Sequence, residues 1–216
     1  HERYQKNRTY NRSGSFVMVM RNSYAYIPEN RKDRQTEFFE KRYQDGDYLQ
    51  ISQIALNRMH HDMSLRLLEL IPNGDRIVVD IGCACGDFTK RLDNLFIESK
   101  VIGVDFVTQG LKIASERYPE LVFIRGALPH LPLATESINV AVCMEVLYYL
   151  DPKSRSLATQ EIARILSSDG YLLVGTTLGN SDRYFTRVTL METITPYFEL
   201  VDERLEYLKP YTTIMK

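Results

Sequence analysis

The chain has 216 residues, 44% of them hydrophobic and 25% charged, which suits one well-buried globular domain and is too short for two full ones. No apolar run approaches the roughly 18 to 20 residues of a membrane span, and no secretory signal pattern opens the chain. Cys83, Cys85 and Cys143 are odd in number and two share one loop, so a disulfide framework or a zinc site is not expected, and a reducing cytoplasmic setting is.

Net charge is −1, but residues 1–34 hold eight Lys/Arg against three Asp/Glu. Such a basic stretch invites a nucleic-acid reading. A solvated extension that partly covers the site competes with it, since no Lys/Arg cluster there is long. The expected boundaries are a basic N-terminal extension over 1–34 and one domain over 35–216. Within the extension only Phe16-Val17-Met18-Val19-Met20 alternates like a strand or a buried arm.

Pro28 and the charged residues after it mark a break before the domain. Thr36 can cap a helix over 37–44, which Asp45-Gly46-Asp47 ends. A longer helix follows over 48–70, with Ile51, Ile54, Ala55, Met59, Met63, Leu67 and Leu70 at helical spacing. Tyr43, Tyr48, His60 and His61 are the residues of these helices that could reach a ligand, with packing as the competing role.

Ile77 to Ile81 is a short β-branched run of the kind buried in a parallel sheet. Gly82-Cys83-Ala84-Cys85-Gly86 follows, and Phe88 to Leu95 has helical spacing. Glycines at 82 and 86 allow positive φ and close approach of a ligand to the backbone at a helix N-terminus. A dinucleotide fingerprint would read G-x-G-x-x-G. Here Ala84 takes the second glycine's place and Asp87 the third's, where a carboxylate would repel a pyrophosphate. The loop therefore favours an adenosine ligand without phosphates over a nicotinamide dinucleotide.

The second strand, Val101 to Asp105, ends in an acid placed to accept both hydrogen bonds of a ribose diol. A helix over 107–117, a third strand over 121–125, and Gly126-Ala127-Leu128-Pro129-His130-Leu131-Pro132-Leu133 come next. The fourth strand, Asn139 to Met144, delivers Glu145-Val146-Leu147-Tyr148-Tyr149-Leu150 to the carboxyl edge, where ligands bind open α/β sheets. Asp151-Pro152 starts a helix to Leu166, Ser167-Ser168-Asp169-Gly170 turns into a fifth strand over 171–176, and a helix spans 182–193. Thr176, Thr177, Asn180 and Asp182 border the acceptor pocket and suit a hydroxyl-rich ligand, with a plain polar surface loop as the competing role. Phe198 to Leu208 and Tyr211 to Met215 alternate as a closing hairpin.

The strand Val79-Asp80-Ile81-Gly82-Cys83-Ala84-Cys85-Gly86, the acid Asp105 and the Gly126 to Leu133 segment, in that order, resemble the class I S-adenosylmethionine-dependent methyltransferases over roughly residues 38–200. The resemblance implies a doubly wound, mostly parallel seven-stranded α/β sheet with an antiparallel last strand, helices on both faces and N-terminal lid helices. It implies S-adenosylmethionine as cofactor, held by Tyr48, Asp80, Gly82, Cys83, Ala84, Gly86, Asp105, Phe106, Ala127, Leu128 and Glu145. Phe106 would pack on the adenine. Ala127 replaces the family's usual adenine-reading aspartate, leaving backbone groups of Ala127 and Leu128 for that task.

Glu145 and Tyr148 are the candidate catalytic residues, with Tyr149 beside them. The segment Glu145 to Leu150 is similar to that of nodulation-type N-methyltransferases, which implies an ammonium acceptor drawn to Glu145. The expected function is methyl transfer to an amine or hydroxyl of a small molecule, with no metal and no membrane partner. A nucleic-acid or protein methyltransferase using the basic extension, and a binding protein without turnover, remain the alternatives.

Overall fold

Parallel strands covered on both faces need apolar side chains at successive positions, so the β-branched runs should lie mid-sheet. They do. The computed structural model describes residues 14–22, 39–41, 43–44, 55–72, 74–179 and 184–206. Strands β2 (Ile77–Ile81), β3 (Lys100–Asp105), β4 (Val122–Arg125), β5 (Ile138–Met144) and β6 (Leu166–Leu178) run parallel. With β1 (Gly14–Asn22) and β7 (Phe198–Glu206) they form a seven-stranded sheet ordered β4-β3-β2-β5-β6-β1-β7.

Successive residues of one strand feed opposite layers. Val79, Ile81, Ala141, Cys143, Leu172 and Val174 pack with α4 (Pro152–Ile165) and α5 (Arg187–Ile194). Val78, Val140, Val142 and Leu173 pack with α1 (Ala55–Leu68) and α2 (Asp87–Leu95) on the other face. Helix α3 (Thr108–Arg117) lies against β4 and β3.

Two expectations change, and a third falls outside the described residues. The antiparallel strand was expected at the end of the chain, over Tyr211 to Met215, which lies outside the described residues. The described antiparallel strand is the first, β1, inserted between β6 and β7. Phe16 pairs with Thr176 on one side and Leu205 on the other. Part of the basic stretch 1–34 is thus built into the sheet.

The buried face of α1 is rotated from the expected one. Met63 and Leu67 are buried, but Met59 and Leu70 are exposed. Their places are taken by His60, His61, Ser64 and Leu68, so the inner stripe includes polar residues that an apolar count passes over. In β6, the expected turn 167–170 is absorbed into the strand as an irregularity: Ile138 pairs with Leu166, and Val140 already pairs with Tyr171.

Candidate functional site

Register brings the candidate residues to one edge. Ile81 pairs with Val104 on β3 and with Cys143 on β5, while Met144 pairs with Gly175 on β6. The loop 82–86, Asp105 and Glu145 therefore leave adjacent strands in the same direction. Asp105 and Glu145 flank the loop, two strand spacings or about 10 Å apart.

The loop needs its glycines. Gly82 and Gly86 have φ of 84° and 82°, and a Cβ at Gly82 would collide with the Val146 side chain. Ala84 also sits at positive φ, 50°. The N–H groups of Gly82 and Cys83 donate to the Val104 carbonyl at 2.7 and 3.1 Å. The Asp105 carboxylate accepts from Ala84 N–H and Val107 N–H, both at 2.9 Å, and burial raises its pKa. The Phe106 N–H is a third donor to the same carboxylate, so Asp105 fixes the loop and keeps about one of its four lone-pair sites for a ligand.

Asp80 lies beneath the loop, 2% exposed, and accepts from the Thr89 hydroxyl at 2.6 Å. Burial pushes its carboxyl up to about 7. As placed, Asp80 braces the loop on α2. Asp87 does not face the loop N–H groups: Arg117 and the Tyr118 hydroxyl each hold its carboxylate at 2.9 Å. Its charge is compensated there, so the case against a pyrophosphate rests on the missing glycines rather than on repulsion. Cys83 and Cys85 are buried, and burial pushes the Cys83 thiol up, which leaves it unreactive.

On the adenosine side, Phe106 is half-buried. The Ala127 carbonyl already accepts from His130 N–H at 2.8 Å, and Leu128 packs on the main core. The Nε2 of His130 is buried and has no hydrogen-bond partner among the described residues.

On the other side, Glu145 occupies the left-handed region at φ 56°, with its N–H bonded to the Gly175 carbonyl at 2.7 Å. A non-glycine residue held there costs roughly 1 to 3 kcal/mol, a kind of strain that clusters at functional sites. Its carboxylate accepts from the Thr177 hydroxyl at 2.9 Å and is hydrogen-bonded to Tyr148. Burial raises its pKa, and the hydroxyl bonds oppose that. Burial and then the Glu145 charge raise the pKa of the Tyr148 phenol. Arg155, 6% exposed, donates to the carbonyls of Leu150 and Tyr148 and lies 4.3 Å from the Phe185 ring centroid, which fixes the turn that carries Tyr148.

The described residues 39–41 and 43–44 roof the edge. Tyr43 is buried against Ala84, Cys85 and Val107. Glu40 accepts from Thr108 N–H at 2.6 Å and Gln109 N–H at 3.0 Å, so it supplies the cap that α3 lacks from its own residues. Phe39 stands edge-on to Phe106 at 5.6 Å and to Tyr149 at 5.4 Å. The aromatic chain continues through Tyr148, 4.5 Å from Tyr149, to Tyr184 at 5.4 Å. Of the other lid candidates, Tyr48 lies outside the described residues. His61 stacks on Phe88 at 4.2 Å, and burial, then Arg91, pushes its pKa down to about 4. His60 is buried, with no partner for Nε2 among the described residues.

Phe39, Glu40, Arg155 and Tyr184 were not signalled by any motif; only their contacts show a role. Among the described residues no His/Cys/Asp/Glu cluster is placed to hold a metal ion, and no helix is long and apolar enough to cross a membrane.

Residues 79–174 match the Methyltransferase domain family. Phthiotriol/phenolphthiotriol dimycocerosates methyltransferase 1 of Mycobacterium ulcerans is 30% identical over 119 residues, covering 54% of this chain and 43% of that protein. The ubiquinone/menaquinone biosynthesis C-methyltransferase UbiE of Campylobacter jejuni is 29% identical over 115 residues, covering 50% and 48%. The chain spans less than half the length of either relative.

Among solved structures, the N-methyltransferase NodS of Bradyrhizobium japonicum in complex with S-adenosylhomocysteine superposes with a TM-score of 0.62 at 20% identity, covering 76% of this chain and 86% of that one. The [4+2]-cyclase SpnF gives 0.65 at 15%, covering 80% and 74%. At these identities the likeness shows a shared fold.

Proposed function

We propose that the chain is a class I, S-adenosylmethionine-dependent methyltransferase that transfers a methyl group to an amine or hydroxyl of a small molecule, a reading supported by the match of residues 79–174 to the Methyltransferase domain family. The observation that carries this reading is the placement of Asp105 and Glu145 on either side of the Gly82–Gly86 loop at one sheet edge. The residues present fit the cofactor. Asp105 ends its strand beside the loop with an acceptor site left for a ribose hydroxyl, Gly82 and Gly86 leave room along the backbone, and Phe106 offers a ring to the base.

When bound, the cofactor supplies a methyl group on a positively charged sulfur that leaves as a neutral thioether. No acid is needed for its departure. The chain's part is to align the acceptor, exclude water and take a proton where the acceptor arrives protonated. Phe39 and Tyr43 close the edge, and Glu145 takes the proton.

Fold alone does not decide the reaction, since SpnF is a [4+2]-cyclase. The test is incubation with methyl-labelled S-adenosylmethionine and a panel of amines, alcohols and activated carbon acceptors. Labelled product with one S-adenosylhomocysteine per methyl supports the proposal. Tight cofactor binding with no turnover on any acceptor favours a binding protein.

A further inference from the structure

Glu145 is a half-buried acid at the end of β5. Among the described residues no Lys or Arg pairs with its carboxylate. The Arg155 guanidinium donates to the carbonyls of Leu150 and Tyr148 and lies over the Phe185 ring. The donors it does have are neutral hydroxyls, from Thr177 and Tyr148. An ionised carboxylate taken from water without a counter-charge is costly. A cation arriving as a ligand would remove that cost.

The walls suit such a ligand. Tyr148 lies 5.4 Å from Tyr184 at an interplanar angle of 55°, so the two rings meet as sides of a corner rather than as a stack. Ring faces carry negative potential and attract ammonium groups. Tyr184 follows the end of β6 and sits against Gly179, where an added Cβ would come within 3.0 Å of its ring. The adjoining Phe185 is fully buried beneath Arg155. Both tyrosines are thereby tied to the same buried guanidinium.

Resting on the methyltransferase reading above, we propose that the acceptor is a cationic amine, held between the Glu145 carboxylate and the rings of Tyr148 and Tyr184, with Tyr184 setting the preference for positive charge. The ammonium first gives one N–H proton to Glu145. The freed nitrogen lone pair then forms the N–CH3 bond as the S–CH3 bond breaks, and that bonding pair stays on sulfur. Positive charge passes from sulfur to the methylated nitrogen, which still faces the tyrosine rings, and the proton on Glu145 leaves to water when the product departs. A hydroxyl acceptor would bring no charge to meet the half-buried acid.

The test uses the whole chain with choline and its uncharged isostere 3,3-dimethylbutan-1-ol, titrated by calorimetry and saturation-transfer NMR, with and without S-adenosylhomocysteine. Choline should bind about tenfold or more tighter than the isostere. Tyr184→Leu should weaken choline about fivefold and leave the isostere unchanged, Tyr184→Phe should keep the preference, and Glu145→Gln should abolish it. Equal binding of the two probes by the wild type, or a preference untouched by Glu145→Gln, overturns the proposal. S-adenosylhomocysteine binding, read in the same samples, reports separately on the cofactor site and serves as the folding control for the Tyr184 variants, and circular dichroism serves for Glu145→Gln.

Discussion

Thr177 donates its hydroxyl to the Glu145 carboxylate over 2.9 Å, tying the end of β6 to the residue that leaves β5. That bond favours the ionised acid, against the burial that favours the neutral one. Turnover that needs ionised Glu145 rises with pH through its pKa. Thr177→Val should therefore move the acidic limb of the kcat profile to higher pH. Glu145→Gln should lower kcat by about 10²- to 10⁴-fold, the range of a lost general base. An unchanged pH profile in both variants would remove the proposed proton acceptor.

Gly82→Ala adds a methyl against Val146 at a residue with φ 84°. Overpacking and the left-handed backbone together should destabilise by about 2 to 4 kcal/mol. Adding Val146→Ala should recover the packing part and leave the backbone part. A urea titration of the single and double variants separates the two.

Stability should depend on pH with two opposed slopes. Burial pushes Asp80 up to about 7, so the folded state keeps a proton that the unfolded chain, titrating near 4, has lost. The Asp80 contribution is full below about pH 4 and is lost as pH rises through 7. His61 is pushed down to about 4. Its contribution is present above the unfolded value near 6.5 and is lost as pH falls toward 4. Urea midpoints measured from pH 4 to 8 should show the loss on rising pH flattened in Asp80→Asn and the loss on falling pH flattened in His61→Leu. Profiles parallel to wild type would contradict both assignments.

Strand β1 pairs with both β6 and β7, and the only described pairing of β7 is with β1. Removing residues 1–22 should therefore lower the urea midpoint and the m-value, as expected when sheet structure is lost. A truncated chain as stable as the full one would make β1 dispensable.

How much was legible depended on where the signal lay. β2, β3 and β5 are short runs covered on both faces, so composition alone marks them. The glycine loop was legible for a similar local reason: positive φ restricts its residue types. The place of β1 was not, because its partners Leu172 to Leu178 and Phe198 to Glu206 lie at the far end of the chain, and alternation carries no information about a distant partner. The face of α1 was misread because His60, His61 and Ser64 point inward. At the site, Asp105 and Glu145 stood out as acids at strand ends. Phe39, Glu40 and Tyr184 act through contacts with Phe106, Thr108 and Tyr148, distant in sequence, and only the folded chain shows them.

The central claim is that Asp105 and the Gly82–Gly86 loop hold S-adenosylmethionine. Calorimetric titration of wild type and Asp105→Ala with S-adenosylmethionine and S-adenosylhomocysteine tests it most directly. The account predicts binding in the micromolar range by the wild type, weakened by roughly 10- to 100-fold or more in the variant, as for loss of charge-assisted hydrogen bonds. Folded wild-type protein that binds neither compound, or an Asp105→Ala variant that binds both as tightly as wild type, would contradict it.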